Sequence, residues 1–187
     1  MKDAINKEGE WRTVSSEYLF NRPWLTARLD VVELPDGRIN KEYYVLEYPD
    51  WVNIIAITED GHFVMERQYR HALGITAYEL PCGVMEKGET PLEAAQRELQ
   101  EETGYGGGEW EEWLTAGPNP SSMNNLSHSF VARGVKKISS QQLDSTEDLT
   151  VHLLTQEQVI DLLKCDQIKQ ALQVGPLWKY FALNKLL

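Results

Sequence analysis

From Trp11 to Tyr48 aromatic and β-branched residues recur among polar ones in a strand-like pattern. "LTARLDVVEL" and "INKEYYVLEY" flank the turn Pro35-Asp36-Gly37, so this region predicts a hairpin. "WVNIIAIT" and "HFVMERQY" flank Glu59-Asp60-Gly61 and predict a second hairpin, because Asp-Gly suits tight hairpin turns. "ITAYEL" runs as a further strand into Pro81-Cys82-Gly83. "GEWEEWLTAG", "LSHSFVARG" and "LTVHLL" predict three more, with the loop "PNPSSMNN" between the first two. Residues 1–10 are polar and are expected to be loose.

The pattern turns helical at Thr90. Thr90 is a good N-cap, Pro91 occupies the first helical position, and Glu93 completes a capping box. Gly104 is a natural stop, so a helix is predicted over about Pro91 to Thr103. Leu92, Ala95 and Leu99 recur at i, i+3 and i+7 and are expected to form its buried stripe. "TQEQVIDLLK" predicts a second helix with its own Thr155/Gln158 capping box. "DQIKQALQVGPLWKYFALNKLL" predicts a third, kinked or restarted at Gly175-Pro176. Many strands with a few helices point to an α+β or α/β sandwich.

Composition narrows the function more than the fold. The 187 residues carry a net charge of −11, which argues against a general nucleic-acid surface or an anionic membrane as partner. Cys82 and Cys165 have no metal-ligand spacing and suggest neither a zinc site nor a disulfide framework. No stretch approaches the ~20 apolar residues of a membrane span. The first residues lack the apolar run of a secretory signal, so the cytoplasm is the expected compartment.

The candidate chemistry lies in "GETPLEAAQRELQEETG". Glu98, Glu101 and Glu102 fall at i, i+3 and i+4 on one helical face, expected beside the apolar stripe rather than over it. Like charges at that spacing repel, and the C-terminal half of a helix disfavours anions. A hard divalent cation would reverse both penalties. A solvated acidic face is the plain alternative for any three glutamates. The loop before the helix adds Glu86 and Glu89, and Gly83 and Gly88 permit a tight turn there.

Gly83, five residues, Glu89, seven residues and then Arg97-Glu98-Leu99-Gln100-Glu101-Glu102-Thr103-Gly104-Tyr105 resembles the signature of the Nudix hydrolases. With seven fixed positions filled, a chance match runs at about one in 10⁸. Tyr105 stands where the family usually has an aliphatic residue. The resemblance implies the Nudix fold, an α/β/α sandwich with a mixed sheet. It implies a Nudix domain over 49–187 and a small antiparallel β-rich region over 1–48, suited to dimerisation. Trp11, Tyr18, Phe20 and Trp24 are aromatic candidates for stacking or dimer contacts there. It also implies hydrolysis of a nucleoside diphosphate linked to another group, with Mg²⁺ or Mn²⁺ as cofactor. Glu98 and Glu102 would be the principal metal ligands. Glu101 would be a further ligand or hold a metal-bound water. Arg97 would orient the glutamates. Glu89 would support the site, while Glu93 belongs to the cap.

The flank "ERQYRHALGITAYELPCG" resembles the ADP-ribose pyrophosphatase group. By that resemblance Arg70 contacts substrate phosphate, with Arg67 a weaker candidate, and Glu79 lies near the nucleoside or its ribose. The Cys82 backbone carbonyl would ligate metal, in place of the usual alanine's. Pro120, fifteen residues after Tyr105, matches a substrate-site proline, but "SSMNN" replaces the usual glycine-rich acidic stretch. Glu147 matches a metal-binding glutamate of a late loop. The general-base position falls at Ser145, a poor base, which leaves Glu147, Asp144 or Asp148 for that work. The implied substrate is a nucleoside diphosphate sugar, ADP-ribose first. Alternatives are ADP-glucose, GDP-mannose or a dinucleotide, or a ligand-sensing domain without catalysis.

Overall fold

The computed structural model describes residues 9–186. Residues 1–8, expected to be loose, lie outside the described residues, as does Leu187. The chain divides into two compact units.

The first unit comprises residues up to Tyr48 together with Asn119–Asn125. Its three strands are β1 (Arg12–Arg22), β2 (Leu25–Glu33) and β3 (Ile39–Glu47). They pair antiparallel in the order β1-β2-β3. Leu34 and Gly37 close the β2–β3 turn with Gly37 at φ 84°, the left-handed backbone that glycine adopts freely. Ala27, Val32 and Val45 are buried, whereas every residue of β1 is exposed. The segment 119–125 runs beside β3: Leu46 N–H donates to Ser122 O (2.7 Å) and Tyr43 Oη to Ser121 O (2.8 Å). Pro120 sits in this segment with its surface exposed.

The second unit holds an eight-stranded mixed sheet. Its strands are β4 (Trp51–Thr58), β5 (Phe63–Arg70), β6 (Ile75–Glu79), β7 (Cys82–Val84), β8 (Tyr105–Gly106), β9 (Glu109–Ala116), β10 (Ser127–Lys137) and β11 (Leu149–Leu154). β4 and β10 run parallel at the centre, and the remaining pairs are antiparallel. Alternation along β4 sends Val52, Ile54 and Ala56 to one face and Ile55 to the other. The first face packs on helix α1 (Pro91–Glu98) through Ala94, Ala95 and Leu99. The second packs on α2 (Gln156–Lys164) and α3 (Ala171–Leu183) through Val159, Leu163, Leu177 and Phe181. Helix, sheet and helices form an α/β/α sandwich. Among the described residues no helix is long and apolar enough to cross a membrane.

Three details differ from the sequence pattern. Leu92 is 38% exposed, and Ala94 takes its place in the buried stripe. Position 94 is one residue before Ala95, so the buried face is centred away from Leu92 and toward Glu98 and Glu102. The α-helix ends at Glu98 and continues as a single π-helical turn, Leu99–Thr103, before Gly104 at φ 71°. The C-terminal helix starts only at Ala171 and runs through Pro176 as one element. Its predicted first five residues are not helical; Ile168 among them packs into the core.

Candidate active site

Thr90 Oγ1 accepts from the Glu93 amide and Glu93 Oε2 accepts from the Thr90 amide (2.8 Å), so α1 begins with a complete capping box. The other end is built by distant residues. Lys137 Nζ donates to Thr103 O (2.6 Å), Gln141 Nε2 to Glu102 O (2.7 Å) and the Gln142 amide to Glu101 O (2.8 Å). These bonds satisfy carbonyls that a helix end leaves unpaired. The π-turn they hold is the kind of local widening that carries side chains to a site. Glu102 within it and Glu98 just before it are 6% and 8% exposed, facing Cys82 and Gly83 of the sheet rather than lying beside the apolar stripe.

Arg97 organises the surrounding loop. Its Nε and Nη2 form a fork on Glu89 (2.7 and 2.9 Å), and Nη2 also reaches Val84 O (3.0 Å). Its Nη1 donates to Glu98 Oε1 (2.8 Å) and Glu101 Oε2 (3.1 Å). Glu89 Oε2 in turn accepts from the Glu86 amide (2.9 Å), closing the turn around Gly88. The Arg97 bonds hold the Glu89 carboxyl below its ordinary range. Gly83 lies against Glu98, and a Cβ there would overlap the carboxylate.

Glu102 Oε2 accepts from the backbone N–H of Cys82 (2.9 Å). Beside it stands Glu66 of β5, a residue the sequence pattern did not single out. Glu66 is 2% exposed, interacts with Glu102, and leaves its Oε1 without a hydrogen-bond partner. Burial pushes its carboxyl up to about 8, with the Glu79 and Glu147 charges acting in the same direction. Burial also raises Glu102, helped by the Glu66 charge, and raises Glu98 against the opposing pull of Arg97. The Glu147 charge raises all three. The signal for Glu66 was present in the chain: pairing "MERQY" with "ITAYE" sets Glu66 directly opposite Glu79, a like-charge pair that calls for compensation.

Among the described residues no three side chains already stand together as a metal cage. The donor chemistry nevertheless fits a hard divalent cation. Glu66, Glu98 and Glu102 are buried carboxyls held against their own repulsion, and one oxygen is orphaned. A divalent cation would relieve both costs.

The other candidates are placed as follows. Arg70 forks onto the buried Glu79 (2.8 and 2.6 Å), and its side chain stays 39% exposed. Arg67 is exposed and lies 5.8 Å above the Tyr78 ring, on the strand rather than at the carboxylates. Glu101 is half exposed and faces Arg97. Glu147 folds onto its own loop, accepting from the Asp144 amide (2.8 Å), while Asp144, Ser145 and Asp148 are exposed. Pro120 belongs to the first unit. Burial pushes the Cys82 thiol well above its ordinary value, so it is not a nucleophile.

Residues 11–46 match the nucleoside diphosphate sugar hydrolase N-terminal domain, and residues 47–172 match the NUDIX domain. The methanol dehydrogenase activator of Bacillus methanolicus is 35% identical over 86% of this chain and 86% of its own. The ADP-ribose pyrophosphatase of Bacillus subtilis (strain 168) is 30% identical over 88% of this chain and 89% of its own. A crystal structure of an ADP compounds hydrolase superposes with a TM-score of 0.82 at 23% identity, covering 94% of this chain and 95% of that one, which shows a common fold. With its domain model matched across the sandwich and the carboxylates gathered at the end of α1, the chain belongs to the NUDIX hydrolase family.

Proposed function

We propose that this Nudix hydrolase cleaves the pyrophosphate bond of a nucleoside diphosphate sugar, ADP-ribose first, using Mg²⁺ or Mn²⁺. The reading rests on the buried Glu66, Glu98 and Glu102, with Glu98 against Gly83 and Glu102 on the Cys82 amide. The match of residues 11–46 to a nucleoside diphosphate sugar hydrolase domain supports the substrate class. Water adds to one phosphorus, the bridging P–O bond breaks, and AMP, ribose 5-phosphate and a proton leave.

When bound, the cation supplies charge neutralisation of the pyrophosphate and a more acidic water. Glu98, Glu102 and the Cys82 carbonyl would hold it, with Glu101 and Glu147 as further ligands or proton acceptors. Arg97 keeps Glu98 in place through its fixed donor fork. Arg70 shares its guanidinium between Glu79 and a substrate phosphate. Arg67, exposed on β5, is a weaker candidate for substrate phosphate. Glu147 is the first candidate for base, followed by Asp144 and Asp148. The exposed β1, with Tyr18, Phe20 and the neighbouring Trp24, suits a homodimer contact. A cytoplasmic setting suits the two free cysteines.

The deciding experiment separates products after incubation with ADP-ribose, ADP-glucose, GDP-mannose and NADH in the presence of Mg²⁺. AMP and ribose 5-phosphate from ADP-ribose are expected. Absence of any nucleoside monophosphate from all four would end this reading. The relative named as a methanol dehydrogenase activator favours a second reading, action upon a dehydrogenase. Methanol dehydrogenase turnover with and without the protein tests it.

A further inference from the structure

The carboxylate cluster takes one of its hydrogen bonds from the main chain, the Cys82 N–H to Glu102. That amide opens β7, directly after the bend at Leu80-Pro81 that links it to β6, and the bend must be held for the donor to stay aimed. Pro81 has no N–H, so Leu80 is the last residue before Cys82 whose amide can anchor the chain. Both backbone groups of Leu80 are bound by one side chain. The Leu80 N–H donates to Gln173 Oε1 (2.8 Å), and Gln173 Nε2 donates to Leu80 O (3.2 Å). Gln173 stands in the first turn of α3, has no exposed surface, and lies 93 residues from Leu80 in sequence.

A fully buried amide such as that of Gln173 is costly unless fully paired. Leucine or methionine would fill the same volume without that cost. Gln173 pairs both ends of its amide with one residue, as a strand neighbour would. From the other side, Pro81 O accepts from the Ile54 amide (3.0 Å). Leu80 and Pro81, the two residues before Cys82, are both held, and Cys82 itself stands opposite Asn53 of β4, so little freedom remains at Cys82. Gln173 also lies one residue beyond the matched NUDIX region, 47–172.

We propose that Gln173 is a positioning residue: by clamping Leu80 it sets the Cys82 backbone, aiming its N–H at Glu102 and its carbonyl at the cation. The proposal rests on the metal-dependent hydrolase reading above. It makes the C-terminal helix part of the metal site's support without touching substrate.

The test uses the full chain carrying Gln173→Leu. The Mg²⁺ concentration for half-maximal activity should rise about tenfold, as for other outer supports of metal ligands. kcat should fall by a similar factor while KM for ADP-ribose holds within about twofold. In the metal-free protein, hydrogen exchange at the Cys82 amide should speed up about tenfold. Leu177→Ala, on the same helix, should lower Tm without shifting the Mg²⁺ dependence. If Gln173→Leu merely melts earlier, with Cys82 exchange and Mg²⁺ dependence as in wild type, the proposal is overturned. It is equally overturned if Leu177→Ala moves the Mg²⁺ dependence as far. Should Gln173→Leu not fold, Gln173→Glu keeps the acceptor for the Leu80 N–H; an unshifted Mg²⁺ dependence there also overturns the proposal. Wild type that hydrolyses none of the nucleotide sugars would defeat the substrate reading instead. Cys82 exchange and calorimetric Mg²⁺ titration would still decide the role of Gln173.

Discussion

The two ends of one helix carry the same side chain in opposite circumstances. At the N-terminus of α1, Glu93 is exposed, accepts from the Thr90 amide, and is held below its ordinary carboxyl range by that bond. At the C-terminus, Glu98 and Glu102 are buried and held above it, chiefly by burial. The first arrangement stabilises the bare protein, because anions are favoured at a helix start. The second destabilises the bare protein and makes sense once a cation is added. Stability and function are therefore separated by about two turns of helix.

Glu102→Gln should break the contrast most completely. It removes a proposed cation ligand, and kcat should drop at least about a thousandfold in a nucleotide-sugar assay. The metal-free variant should melt higher than metal-free wild type, since one buried acid is gone; a lower Tm would contradict the account of the site as strained. Gly83→Ala comes next. The new Cβ overlaps the Glu98 carboxylate, and displacement of a ligand by about 1 Å costs about a hundredfold in rate. Wild-type kinetics in this variant would show that Glu98 does not need its present place.

The pH dependence sharpens the same contrast. The Glu66 carboxyl has an ordinary value of 4.5 and a folded value of about 8. The folded state thus binds a proton more tightly than the unfolded one. Metal-free stability should be intact below the ordinary value and should fall as pH rises toward about 8, by a few kcal/mol. Mg²⁺ should flatten that slope, and urea melts across this range with and without Mg²⁺ would measure both curves. The smallest effect belongs to the cap. Thr90→Ala should cost about 1 kcal/mol of stability and leave kcat unchanged, since the bonds of the capping box join Thr90 to Glu93 and not to Glu98, Glu101 or Glu102.

The longer strands, both hairpins and the two capping boxes were legible because their causes are local, whereas the short β7 and β8 carry too few residues to show a period. Asp-Gly turns, period-two alternation and Thr-x-x-Glu spacing each act within a few residues. Glu98, Glu101 and Glu102 were legible by spacing and Arg97 by the family pattern. Their division was not: Glu102 is buried against Cys82, while Glu101 faces Arg97 half exposed. Glu66 was missed because its signal, the position opposite Glu79, shows only once β5 and β6 are paired in register, and its other partner Glu102 lies on a different element. The π-turn was equally out of reach, because Lys137, Gln141 and Gln142 hold it open from β10 and the loop beyond. Leu92 misled because hydrophobicity ranks it above Ala94, whereas close packing on the sheet favours the smaller side chain.

The bonds from Lys137, Gln141 and Gln142 to the last carbonyls of the helix also bear on re-engineering the enzyme. The chain from Lys137 to Glu147 leads from that helix end to the loop whose Glu147 charge acts on the buried carboxyls, so an exchange of this loop between relatives touches both. Its first half serves as the terminus of another element. A graft that begins before Lys137 would import foreign end-groups for the helix and detune the glutamates along with the specificity. One that begins after Gln142 would leave the helix its own ending, so the useful crossover point is narrow and lies just past Gln142.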